Sequence, residues 1–307
     1  MRFARLHRMI RSVRASHPGG GVGKTKSCFV FAVAGARHVA AVDAALGYLK
    51  RVTRHDIVVV QTRSDRRAAH DQVVCVGVPA AAMSDHEASI HLKTDLLAHI
   101  RGLANRFCYL DSDVIAIDDH VDRIFDHCSG PIAFASDHAD IDAFSGWAVN
   151  CECKDPRCNH LREALLCEFG IDVRDCSWRM WNGGVFVFDE SAEAFLSTWN
   201  GMCRQIMRKP YWRTRDQGTL AGAAWTHGLQ GLPRLPASFN FIVDCMRGVA
   251  RERRVSLAPS ESFVRTDYAL QGEDAPHFIH FVNGGVGRRG WKNWDDVEAL
   301  IAMKQVA

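Results

Sequence analysis

Apolar residues fall into short continuous runs separated by stretches of helical spacing. Ser27 to Ala34 is apolar at nearly every position and reads as a buried strand. After Gly35, Val42, Ala45, Leu46 and Leu49 recur at intervals of three and four, predicting a helix over 39–52. Asp56 opens a second strand ending at Gln61, and residues 72–78 form a third that stops at Pro79. Ser84, followed three residues later by Glu87, is a capping-box signature for a helix over 84–103. Arg106 to Leu110 then makes a fourth strand. Strands of this kind, alternating with helices, predict an α/β fold whose mostly parallel sheet is covered on both faces. Ligands bind such sheets at the carboxyl ends of the strands, which directs attention to Ala34, Gly35 and Asp111.

The second half has less regular patterning. A cysteine-bearing, loop-rich insertion is expected over 136–178, then a buried strand over 184–188 and a helix over 191–207. A further helix runs from Arg215 to Trp225, and a last strand spans His277 to Phe281. No internal repeat or low-complexity block appears. The expected organisation is a basic extension (1–26) followed by a single domain (27–307).

With 47% hydrophobic and 24% charged residues over 307 positions, the chain is of globular composition. A formal charge of +3, with bases and acids interleaved, argues against a nucleic-acid partner. No apolar run reaches the ~18–20 residues of a membrane-spanning helix. Eleven cysteines follow an N-terminus without the apolar core of a secretory signal, so they are expected as thiols or metal ligands in a cytoplasmic or membrane-peripheral protein. Arg2, Arg5, Arg8, Arg11 and Arg14 recur every third residue. The segment reads as a frayed extension, as a basic amphipathic helix for an anionic surface, or as a transit peptide.

Gly23-Lys24-Thr25 resembles the end of a phosphate-binding P-loop, but Pro18 stands where the pattern requires glycine. The glycines also precede a strand instead of following one, so the stretch reads as a linker. A P-loop nucleotide hydrolase is the weaker alternative.

Asp111-Ser112-Asp113 carries more chemistry. Two carboxylates two apart, just past a buried strand, suit one hard divalent cation, manganese or magnesium, of the kind that bridges a diphosphate. Downstream lie Trp181-Asn-Gly-Gly-Val-Phe-Val-Phe188, Arg215-Asp-Gln-Gly-Thr-Leu220, Arg234-Leu-Pro-Ala-Ser-Phe-Asn240 and Ile279-His-Phe-Val-Asn-Gly284. In this order they resemble glycosyltransferase family 8 and its glycogenin-like members over roughly residues 27–294.

That resemblance implies a GT-A (nucleotide-diphospho-sugar transferase) fold, a mostly parallel twisted sheet flanked by helices. It also implies retaining transfer from a UDP-sugar to an unknown glycan, lipid or protein acceptor, with Mn²⁺ held by Asp111, Asp113 and His280. Asn182 and Gly183 match the positions that approach the donor sugar, and Asp216 and Gln217 the pair near the anomeric centre. Lys93 falls where the family has a basic residue facing the donor. The family's closing Lys-Pro-Trp is replaced by a longer segment from Gly284, in which Arg288 or Arg289 supplies the charge toward phosphate. The tyrosine that stacks on the base after the first strand is replaced by Ala34-Gly-Ala-Arg-His38. A catalytically silent relative that binds a partner is the remaining alternative.

Cys151, Cys153, Cys158 and His160 form a C-x-C-x4-C-x-H pattern. Three thiolates and an imidazole suit a closed, structural zinc ion, with a loop of reduced thiols as the alternative reading.

Overall fold

The computed structural model describes residues 26–63, 66–77, 83–153, 155, 157–244 and 276–282. The basic extension, the Gly23-Lys24-Thr25 segment, Gly284, Arg288 and Arg289 lie outside the described residues.

β1 (Ser27–Val33), β2 (Asp56–Thr62), β3 (Val73–Val76) and β4 (Arg106–Leu110) form the parallel half of a six-stranded sheet of order β3-β2-β1-β4-β7-β6. β6 (Ile132–Asp140) and β7 (Arg179–Phe188) complete it, with β7 antiparallel to β4 and β6 antiparallel to β7. A second sheet of three strands has the order β5-β9-β8, from β5 (Val114–Ala116), β9 (Phe278–Val282) and β8 (Phe241–Asp244). This is the α/β architecture expected from the strand runs.

Strand parity divides the core in two. Cys28, Val30 and Ala32 of β1 and Phe107 and Tyr109 of β4 join one apolar cluster; Phe29, Phe31, Val33, Cys108 and Leu110 join the other. The first cluster is closed by α2 (Asp85–Thr94), α6 (Glu193–Ile206) and α7 (Arg215–Thr226), and by α4 (Ile141–Ala148) and α5 (His160–Phe169). α1 (Ala36–Val52) and the smaller sheet cover the second. Among the described residues no helix is long and apolar enough to cross a membrane.

Several expectations are corrected. The helix expected over 84–103 breaks after Thr94 and resumes only as the short α3 (Leu97–Ile100). The Thr94 hydroxyl donates back to the Ile90 carbonyl, and the Asn200 amide donates to the His91 carbonyl and to Thr94 Oγ1, so side chains occupy acceptors around the helix end. The expected loop over 136–178 contains the end of β6 and two helices. Asp140 caps α4 by accepting from the Ala143 amide at 2.9 Å, while Gly146 and the short length obscured the helical pattern. β7 begins at Arg179, five residues before the expected start, because Gly183 and Gly184 are strand residues and not turn punctuation.

Phe186 of β7 lies at the centre of an aromatic group, 4.9 Å centroid to centroid from both Tyr109 and Phe134 and 5.8 Å from Trp199. Phe186→Ala is expected to lower the unfolding free energy in urea by ~3–5 kcal/mol. A loss below ~1 kcal/mol would contradict this account of the core.

Candidate functional site

β1 and β4 run side by side with Phe31 opposite Leu110, so Ala34-Gly35 and Asp111 emerge at the same carboxyl edge. Gly35 has φ +81°, and a Cβ there would lie 1.9 Å from Asp85 Oδ2, so both backbone and space require glycine. The Ala34 amide donates to Ser89 Oγ at 3.1 Å, fixing the end of β1 to α2.

Beyond β4 the chain turns sharply. The Asp111 amide donates to the Gly184 carbonyl at 2.8 Å, and the Val114 amide donates to the Asp111 carbonyl at 3.1 Å. Ser112 occupies the turn between the two carboxylates. β5 leaves the turn antiparallel to β9, with Val114 opposite His280, and the Phe281 amide donates to the Asp113 carbonyl at 2.9 Å. His280 Nε2 consequently lies 3.3 Å from Asp113 Oδ1. One ligating atom from each of Asp111, Asp113 and His280 lies within 4.8 Å of the others. The three expected metal ligands are brought together across 169 positions of sequence (280 − 111).

The ring of His280 rests against the backbone of β7. A Cβ on Gly184 would lie 2.1 Å from His280 Cε1, so an alanine there displaces the imidazole. Its other nitrogen, Nδ1, is 3.0 Å from Asn240 Oδ1. A chain of amides fixes the direction of that bond. The Gly184 N–H can only donate, and it meets Asn182 Oδ1 at 2.9 Å. Asn182 therefore turns its nitrogen to the Asp137 carboxylate, at 2.8 Å, and its oxygen also accepts from Asn240 Nδ2 at 2.9 Å. Asn240 is left presenting an oxygen, so His280 Nδ1 is the donor and the lone pair sits on Nε2. Burial alone would lower the basicity of His280; Asp113, then Asp111, outweigh it and hold the imidazole above its ordinary range. A proton and a cation compete for the same Nε2 lone pair.

Lys93 enters from α2, buried to 4% exposure, with Nζ 2.9 Å from Asp216 Oδ2 and 3.3 Å from Asp111 Oδ2. The ammonium also lies 5.3 Å from the centre of the Tyr109 ring and 5.9 Å from that of Trp199. Burial opposes its charge, but the two carboxylates more than compensate and raise its pKa. Burial pushes the Asp111 carboxyl up despite Lys93, whereas for Asp216 the ammonium prevails over burial and its pKa falls. Tyr109 donates its phenol proton to Asp111 Oδ1 at 2.6 Å.

Gln217, one residue further along α7, is committed to the backbone of β7. Its oxygen accepts from the Gly183 amide at 2.9 Å, and its nitrogen donates to the Trp181 carbonyl. A Cβ on Gly183 would come within 3.3 Å of Lys93 Nζ, so the glycine leaves room for the ammonium. Sequence reasoning did not single out Asp137, Tyr109 or Asn240 as site residues. Asn240 closes one of the recognised motifs, and that position was the available signal. Two further groups bring together atoms able to hold a metal: Asp118 with His120 and His277, and Cys151 with Cys158 and His160.

No protein-family model matches the chain, and no curated protein matches it in sequence. Solved structures match it in fold. The bifunctional glycosyltransferase WbbM, in its apo form, superposes with a TM-score of 0.58 at 15% identity, covering 94% of this chain and 53% of WbbM. This chain thus spans about half the length of WbbM. The galactosyltransferase LgtC, in complex with donor and acceptor sugar analogs, superposes with a TM-score of 0.51 at 14% identity over 90% of this chain and 95% of LgtC. The glycosyltransferase GlyE of Streptococcus pneumoniae gives 0.50 at 14% identity, over 91% and 63%. These likenesses establish the GT-A fold.

Asp137 is 3% exposed. Burial would raise its pKa, but His138, with Nδ1 2.8 Å from the carboxylate, and the Asn182 amide overcome that and depress it below the usual 3.8. A depressed carboxylate contributes stability above the unfolded-state pKa and loses it as the pH falls through the folded-state value. Urea unfolding across pH is expected to show wild type and Asp137→Asn separated at neutral pH and converging below about pH 4. A separation independent of pH would contradict the assignment.

Proposed function

We propose that this chain is a metal-dependent glycosyltransferase of the family 8 kind. In this reading it moves a sugar from a nucleotide-diphosphate donor, a UDP-sugar, to a glycan, lipid or protein acceptor with retention of configuration. The observation that carries the proposal is the convergence of Asp111, Asp113 and His280 at the carboxyl edge of a GT-A sheet. Two carboxylate oxygens and an imidazole nitrogen, its tautomer already set, are a suitable donor set for manganese or magnesium. Bound there, the cation supplies electrophilic neutralisation of the negative charge that grows on the departing diphosphate.

The protein's own groups divide the remaining work. Ala34 and Gly35 offer main chain at the end of β1 to the nucleotide. Lys93 adds a fixed positive charge beside Asp111 and holds Asp216 ionised. Asp216, at the start of α7, is placed to accept hydrogen bonds from donor hydroxyls and to stabilise oxocarbenium-like charge at the anomeric carbon. Gln217 clamps Trp181 and Gly183, keeping the β7 main chain open toward the sugar, and Asn182 orients the ligand set through Asn240. Arg288 is assigned to phosphate as a second cation.

A thermal-shift panel of nucleotide sugars tests the reading. Manganese and a UDP-sugar together should raise the melting temperature by mass action, EDTA should abolish the shift, and added manganese should restore it. Asp113→Asn should eliminate that shift and lower sugar transfer or donor hydrolysis on the order of 10³-fold. Loss of neither sinks the proposal. Asn240→Leu, which removes the acceptor behind His280, should weaken Mn²⁺ binding by calorimetry about 10–100-fold. Unchanged affinity would show that the amide chain does not orient the imidazole.

A further inference from the structure

The loop from α4 to α5 holds a second group of ligating atoms whose purpose the transfer reaction does not explain. Backbone contacts anchor both of its ends. The Asn150 amide donates to the Tyr211 carbonyl at 2.7 Å, and Val149 forms a bridge with Trp212. At the far end the Cys158 amide donates to the Asp142 carbonyl at 3.3 Å, and the Leu161 amide donates to Ser145 Oγ at 2.7 Å. These contacts bring Cys151 Sγ and Cys158 Sγ to 3.8 Å, and one ring nitrogen of His160 lies within 4.8 Å of both.

That sulfur spacing has a direct chemical reading. Two thiolates at ~2.3 Å from a tetrahedral zinc ion are ~3.8 Å apart, whereas a disulfide requires ~2.05 Å. All of Cys151, Cys153 and Cys158 are free thiols. His160 opens α5, and its Nδ1 is buried with no hydrogen-bond partner among the described residues. A buried imidazole nitrogen left without a partner is destabilising. Cys153, expected as a ligand, stands outside this group of three, with its Sγ 3.9 Å from the Asp155 carbonyl oxygen on the same loop.

We propose that Cys151, Cys158 and His160 bind a structural zinc ion, with Cys153 as the fourth ligand. Four protein donors leave no open coordination position, so the site holds chain and not substrate. The segment it holds matters to the edge of the sheet. The Ala148 carbonyl, just before the loop, accepts from the amides of Arg213 and Thr214 at 2.9 and 3.3 Å. Thr214 immediately precedes α7, the helix that carries Asp216 and Gln217. Zinc would thus brace the α4–α5 loop beside the backbone contacts that reach the entry of that helix. Zinc binding at this loop is separate from sugar transfer and does not depend on it.

The test measures metal directly. The full chain, produced with zinc and purified under reductant, should carry about one zinc ion per chain by elemental mass spectrometry. Cys151→Ser and Cys158→Ser should each reduce this to background, while Asp113→Asn should retain it, separating this ion from any cation at the sheet edge. Should the cysteine variants fail to fold, chelator-stripped wild type is titrated with Co²⁺ instead. A thiolate-to-cobalt charge-transfer band with the strong visible absorption of tetrahedral cobalt is then expected. Zinc content unaffected by the cysteine substitutions, a cobalt spectrum without thiolate character, or a Cys151–Cys158 disulfide in reduced protein would each overturn the proposal.

Discussion

The site depends on the register between β5 and β9. β5 begins immediately after Asp113, and β9 is the strand that brings His280 to it, paired with Val114. A slip of one residue would turn His280 to the opposite face and bring Ile279 or Phe281 to the carboxylates. Apolar burial opposes that slip. Ile279 and Phe281 are no more than 1% exposed and belong to the core cluster that includes Phe29, Val33 and Leu110. On the order of 2 kcal/mol per buried side chain favours the observed register, more than a single hydrogen bond contributes. The burial of Ile279 and Phe281 on one face of a five-residue strand therefore aims an imidazole from the other.

Charge balance at the edge follows from which groups are already paired. Among the described residues, the ammonium of Lys93 is shared between Asp111 and Asp216, while Asp113 lies beside His280. Among the described residues, protonation of His280 adds a positive charge on the nitrogen that faces Asp113. Removing it leaves an uncompensated carboxylate beside a free lone pair. In the proposed reading that combination would suit a divalent ion, because neighbouring anions would then be neutralised together. The hard oxygen donors and the single imidazole narrow the choice further.

Much of this was legible in the sequence, and the reasons differ by element. β1, β2 and β4 were visible because a strand buried on both faces is apolar at nearly every position, as β1 is after Ser27, and the half-buried β3 was visible as a valine-rich run. The Ser84–Glu87 box was readable as local chemistry and forms as a reciprocal pair. Asp111, Asp113 and His280 were recognisable from motif order, although no spacing rule joins residues so distant. The end of β6 was hidden because Ser136, Asp137 and His138 look like a loop. Asp137 is nevertheless buried, and its partners come from β7 and α7, which local pattern does not reveal. The glycines at 183 and 184 misled for a related reason. They punctuate most sequences as turns, yet here they make room for Lys93 and His280.

Gly184 shows how little sequence is needed to set several ligand properties together. Its carbonyl accepts from the Asp111 amide, fixing where the first carboxylate leaves β4. Its missing Cβ is the space into which the His280 ring packs. Its N–H orients Asn182, and through Asn240 selects which imidazole nitrogen carries the lone pair. Position, packing and tautomer are thereby controlled through one backbone unit in the middle of a strand that is buried from Met180 to Phe188. A loop residue could satisfy any one of these demands. Satisfying all three calls for a backbone held by a sheet ladder, and the candidate ligand set accordingly sits against the central sheet and not among the loops beyond it.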